Sequence, residues 1–110
     1  MTYSLRVLTL VEAPLFTRLV GGYLNDDEHP ALQAALVDDP EAGAVIPGSG
    51  GVRKIRRGAE HRGKRGGVRV IDFRRVQVGL IWMLTIYAKS EVATISASML
   101  RRIKQELKDD

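Results

Sequence analysis

Residues 51–88 read GVRKIRRGAEHRGKRGGVRVIDFRRVQVGLIWMLTIYA, and three segments inside this stretch decide the fold. Gly51–Arg57 alternates apolar and cationic positions, the period of a strand with one cationic face. Val68–Val76 alternates again, with Val68, Val70 and Asp72 on one face and Arg69, Ile71 and Phe73 on the other. Val78–Ala88 is the most apolar run of the chain and reads as the central strand. The links between these segments are polar and glycine-rich, as in Gly58–Gly67, so the three strands are expected to form an antiparallel meander.

Upstream, Tyr3–Leu10 mixes β-branched and aromatic residues with polar ones and reads as a first strand. Pro14 suits the first turn of a helix, on which Leu15, Phe16, Leu19, Val20 and Tyr23 recur at helical spacing before Gly21-Gly22. Asn25-Asp-Asp-Glu28 supplies a cap and first-turn carboxylates for a second helix, with Leu32, Ala35 and Leu36 on its apolar face and Asp38-Asp-Pro40 at its end. Glu41–Gly51 is rich in Gly, Pro and Ala and reads as a loop. Downstream, Thr94–Lys108 is helical, capped by Thr94 or Ser96. Ile95, Met99, Leu100, Ile103 and Leu107 form its apolar stripe, and Arg101, Arg102 and Lys104 its outer face. The expected order is β-α-α-β-β-β-α, an α+β fold, with residues 1–110 as a single domain.

Composition narrows the chemistry. The 110 residues are 45% hydrophobic and 27% charged, an ordinary globular balance. Without cysteine there is no disulfide, no thiol nucleophile and no thiolate zinc site. The start MTYSLRVLTLVEAPLF lacks a basic segment followed by a long apolar run, so no signal peptide is expected. The Val78–Ala88 run is well short of the roughly 20 residues of a membrane helix. No membrane association is expected, and the cytoplasm is the default location.

The net charge of +4 conceals a strong asymmetry. Residues 1–50 carry two basic and seven acidic side chains, and residues 51–110 carry fifteen basic and six acidic ones. Ten Lys and Arg crowd into Arg53–Arg75 against two acids, the footprint of a surface for a polyanion. Gly58-Ala-Glu-His-Arg-Gly-Lys-Arg65 nearly spells a phosphate loop. Arg65, however, replaces the hydroxyl that would hold magnesium, and a strand follows where a helix is needed. His29 and His61 are isolated, which leaves no metal site, no cofactor and no paired histidines for acid–base work.

The remaining constellation is a cationic sheet. Lys54 and Arg56, two residues apart on a strand, point to one face; Arg69 lies on the neighbouring strand, and Tyr87 and Lys89 end the next. Together these five would grip a phosphodiester and stabilise the charge of a pentavalent phosphorane. RNA cleavage of that kind needs no metal, because the 2′-hydroxyl is the nucleophile. The same spacing equally fits solvent-facing Lys54 and Arg56 with Tyr87 in the core. Arg53, Arg57, Arg62, Lys64 and Arg65 would add phosphate contacts, and a splayed base would stack on Tyr87.

The chain resembles the RelE/ParE superfamily of toxins from type II toxin–antitoxin pairs, in its HigB/RelE-like branch. The matching stretches are Asp38-Asp-Pro-Glu-Ala-Gly43, Val45-Ile-Pro-Gly-Ser-Gly-Gly51, Arg53-Lys-Ile-Arg56, Arg62-Gly-Lys-Arg-Gly-Gly67, Val68-Arg-Val-Ile71 and Ile86-Tyr-Ala-Lys-Ser-Glu91. They fall in family order and cover about half of the chain. The resemblance implies a RelE-like fold with two N-terminal helices packed on the antiparallel sheet and a C-terminal helix. It further implies a metal-independent endoribonuclease that cuts mRNA on the ribosome and inhibits translation. A cognate antitoxin, helix-turn-helix or bearing an acidic segment, would neutralise it.

By the same resemblance, Lys54 and Arg56 are the basic pair that contacts the scissile phosphate or helps to deprotonate the 2′-hydroxyl. Arg69 is the arginine after the glycine turn that stabilises the transition state, and Lys89 is the basic residue at the end of the last strand. The chain departs from the family at Ser90, which stands in place of an arginine general acid, and in Val92–Ser96, which holds no tyrosine. Asp72 and Arg74 occupy positions that are usually aromatic. Lys and Arg are ordinarily poor general bases at neutral pH, so the proton carrier is left open. Two other readings share the charge pattern: a toxin that inhibits by binding, as in the gyrase-poisoning ParE branch, and a basic RNA-binding module.

Overall fold

The computed structural model describes residues 8–58, 67–91, 95–105 and 107. Strand β1 (Thr9–Glu12) leads into α1 (Pro14–Val20) and α2 (Glu28–Asp38). Strands β2 (Ala44–Val45), β3 (Val52–Arg57), β4 (Val68–Arg75) and β5 (Leu80–Ala88) follow, and α3 (Ala97–Gln105) closes the order. The sheet runs β1-β5-β4-β3-β2. The fold is α+β, as the patterning implies, and β3, β4 and β5 form the expected antiparallel meander.

Three details differ from expectation. Ala44–Val45, inside the segment read as a loop, pairs antiparallel with Arg53 and Lys54 and adds an edge strand too short to show alternation. The middle of the sheet is β4 rather than the more apolar β5, because β2 adds a strand beyond β3 while β1 adds one beyond β5. That pairing is parallel, so the sheet is mixed; the helices after β1 carry the chain away, and no hairpin imposes the opposite direction. The first strand was expected at Tyr3–Leu10, of which residues 3–7 lie outside the described part. Thr94 and Lys108, the expected limits of the last helix, also lie outside it.

Local signals explain the helices. Pro14 opens α1, where its missing N–H costs nothing. Asn25 and Glu28 form a reciprocal cap: the Glu28 N–H donates to Asn25 Oδ1 at 2.8 Å, and the Asn25 N–H donates to Glu28 Oε1 at 2.9 Å. Ser96, one of the two expected caps, accepts the Met99 N–H at its hydroxyl.

Helices cover both sheet faces, and each face has its own apolar layer. Phe16, Val20, Leu24, Leu32 and Leu36 pack on Ile55, Val68, Val70, Ile81, Met83 and Ile86. On the other face, Leu100 of α3 packs on Val52, Ile71, Leu84 and Tyr87. A bulge in β5 reconciles these sets: Asp72 pairs with Met83 and Ile71 with Thr85, so Leu84 has no ladder partner. Beyond this extra residue the alternation of β5 is inverted, and Tyr87 falls on the α3 face. Among the described residues no helix is long and apolar enough to cross a membrane.

Candidate nucleic-acid interface

Three neighbouring strands bring Arg56, Arg69 and Tyr87 into one row. Arg56 is directly opposite Arg69, and Arg69 is directly opposite Tyr87. With strands about 4.8 Å apart, the row spans about 10 Å. Lys54 stands one row along on the same face, opposite Ala44 on one side and Ile71 on the other. Lys89 follows β5 and is exposed; its N–H donates to the Gly67 carbonyl at 3.3 Å and holds the two strand ends together. Gly67 enters β4 with φ of 71°, a conformation that favours glycine.

The row grades from solvent to core. Arg56 is exposed and Lys54 half-buried, whereas Arg69 is 5% and Tyr87 6% exposed. A guanidinium N–H of Arg69 donates to the Val68 carbonyl at 3.4 Å. Burial raises the Tyr87 hydroxyl above its ordinary pKa, and the charge of Arg69 pulls it back. Packed against Val52, Ile71 and Leu84, the Tyr87 ring belongs to the apolar layer and presents no open face for a stacked base in this conformation. The directly opposed Arg56 and Arg69 repel each other, and an anion placed over the pair would relieve that repulsion.

The other predicted cations are placed differently. Arg53 lies on the opposite sheet face, across from Asp72, and donates to the carbonyls of Gly43 at 2.8 Å and Glu41 at 3.3 Å. It therefore tethers the segment before β2. Arg57 shares the parity of Arg53, is half-buried and lies opposite Val68. Arg62, Lys64 and Arg65 lie outside the described residues, as does His61. His29, read from the sequence as isolated, meets the Glu12 carboxylate at 2.6 Å, and that carboxylate also accepts the Thr17 hydroxyl.

Asp72 is the group whose importance the patterning understated. Its side chain is fully buried on the α1–α2 face, and neither carboxyl oxygen has a hydrogen-bond partner. Burial pushes its pKa up to about 7 against the pull of Arg53 and Arg74. Arg74 also binds the exposed Glu41 at 2.9 Å and holds that carboxyl below its usual range. The available signal was an acid at an inward position of an alternating strand, after Val68 and Val70.

No family model matches the sequence. Among solved structures, the fold is similar to that of the E. coli toxin RelE, in a mutant form in the free state, with a TM-score of 0.62. The match covers 91% of this chain and 98% of that one at 10% sequence identity. At that identity the likeness establishes a RelE-like fold.

Proposed function

We propose that the chain is the toxin of a type II toxin–antitoxin pair, of the HigB/RelE-like branch, and a metal-independent endoribonuclease acting on ribosome-bound mRNA in the cytoplasm. The observation that carries this reading is the row of Arg56 and Arg69 across adjacent strands, with Lys54 and Lys89 beside it. The RelE-like fold supports it.

In this reading the 2′-hydroxyl oxygen attacks the adjacent phosphorus and the bond to the 5′-oxygen breaks. Negative charge grows on the equatorial phosphate oxygens, where the guanidinium groups of Arg56 and Arg69 would stabilise it most. In this reading Lys54 orients the strand and assists removal of the 2′ proton, Lys89 contacts the leaving side, and the 5′-oxygen takes up a proton from solvent, leaving a 2′,3′-cyclic phosphate. A cognate antitoxin with an acidic segment would neutralise the chain by covering the same cations.

The burial of Arg69 and Tyr87 favours a second reading, in which Lys54 and Arg56 bind a target without cleaving it, as in the gyrase-poisoning branch. Primer extension on mRNA from cells expressing the chain separates the two. Cuts at in-frame codon positions, lost in Arg56→Ala, are expected. DNA breaks with intact mRNA would establish the second reading instead.

A further inference from the structure

Alternation along β4 places Arg69, Ile71, Phe73 and Arg75 on one sheet face, so the row described above has a cationic counterpart at the far end of the same strand. Arg75 lies six residue steps along the strand from Arg69, about 20 Å away. There the loop before β3, the end of β4 and the last turns of α3 border an open pocket of about 250 Å³, lined by Ser49, Gly50, Arg75, Arg101 and Lys104 among others.

The cations of this cavity are held in place. Lys104 Nζ donates to the Gly50 carbonyl at 2.8 Å and lies 4.5 Å from the centre of the Phe73 ring. The guanidinium of Arg75 lies 5.3 Å from that same ring centre. Arg101 donates to the Gly48 carbonyl. Gly50 makes the approach of Lys104 possible, since a Cβ there would stand 2.8 Å from Nζ, and its φ of 78° favours glycine. Buried Ser49 fixes the loop: its hydroxyl donates to the Ile46 carbonyl at 2.6 Å and accepts the Val52 N–H at 3.0 Å. Arg101 and Lys104 each use one donor on the loop and keep the others.

Three cations from two elements therefore converge on a space the size of a phosphate and its ribose, on the face that carries Arg56 and Arg69. We propose that this cavity is a second phosphate subsite, which grips a backbone phosphate of the same RNA strand several nucleotides from the one at Arg56 and Arg69. The inference rests on the RNA-binding part of the proposed function. It extends the contact from one phosphate to a strand segment, a span in the range of single-strand binding sites, about 4–16 nucleotides.

The test is titration of a fluorescent twelve-nucleotide oligoadenylate into the full chain and into folded Arg101→Gln, Lys104→Gln and Arg56→Gln variants, over a series of salt concentrations. Arg101→Gln and Lys104→Gln are each expected to weaken binding several-fold and to flatten the log–log salt slope by about 0.7. Because both residues tether the loop, a readout on the unaltered chain accompanies them: the amide resonances of Gly48, Ser49 and Gly50 should move on adding the oligonucleotide. If Arg56→Gln weakens binding while the two α3 variants and the loop resonances do not respond, the subsite is refuted and the RNA reading stands. If the unaltered chain does not bind the oligonucleotide, both are refuted. If the α3 variants lose hexaglutamate but retain the oligonucleotide, the cavity belongs to an acidic protein segment and the proposal is overturned.

Discussion

Arg69 and Asp72 lie three residues apart on β4, both inside the molecule, and face opposite ways. Arg69 turns toward α3, keeps a carbonyl partner and stands between Arg56 and Tyr87. Asp72 turns toward α1 and α2, has no hydrogen-bond partner and stands between Arg53 and Met83. The same strand thus buries two ionisable groups under different terms. A partnered guanidinium, which does not deprotonate, stores charge at a working face. An unpartnered carboxyl in an apolar layer takes up a proton instead. Under the proposed function, phosphate chemistry belongs to the face of Arg69 and pH sensitivity to the face of Asp72.

The largest effect expected from this contrast belongs to Asp72. Its folded pKa of about 7 lies above the ordinary 3.8, so the unfolded chain releases this proton first as pH rises. Stability from this group is full below pH 3.8 and is lost progressively up to about pH 7, by as much as about 4 kcal/mol. Asp72→Asn should remove most of that pH dependence and be the more stable form at pH 8. Denaturant unfolding at pH 4 and pH 8 checks this, and identical pH dependence in the two proteins would break the contrast.

A smaller effect tests the charged row. Arg56→Ala relieves the repulsion on Arg69 and should stabilise the fold by up to about 1 kcal/mol at low salt. The gain should shrink at high salt, as screening removes what the substitution removes. Thermal melts at two ionic strengths read this directly. The smallest effect concerns the cations near Asp72. Arg74→Gln withdraws one of the two charges that hold its carboxyl down, so the midpoint should move above about 7. A carbon-detected titration of the Asp72 carboxyl measures that shift, and a downward movement would show that Arg74 has another role.

Much of this arrangement was legible before the structure. Alternation in Val68–Val76 placed Arg69 and Asp72 on opposite faces, and Pro14 and the Asn25–Glu28 pair marked both N-terminal helices. Strict period two also separates Arg53 and Arg57 from Lys54 and Arg56, although the density of charge made all four look like one surface. The bulge at Leu84 was not legible, because an apolar run buried on both faces has no polar position to reveal a change of parity. Without that extra residue, continued alternation would put Tyr87 on the α1–α2 face. The distal cavity was also hidden, since it joins a glycine loop to a helix some 50 residues later through backbone carbonyls. The proton carrier of the proposed cleavage was not legible either, because Ser90 stands where the resemblance implies an arginine general acid.

The most direct test of the account is cleavage by the purified chain on ribosomes programmed with one defined mRNA, beside Arg56→Ala verified as folded by its amide spectrum. The unaltered chain is expected to cut within the message without added metal, and Arg56→Ala to cut about 10²–10³-fold more slowly, the usual loss on removing one preorganised charge donor. Equal rates in the two proteins, or intact mRNA in both, would contradict the claim that the Arg56–Arg69 row performs phosphate chemistry.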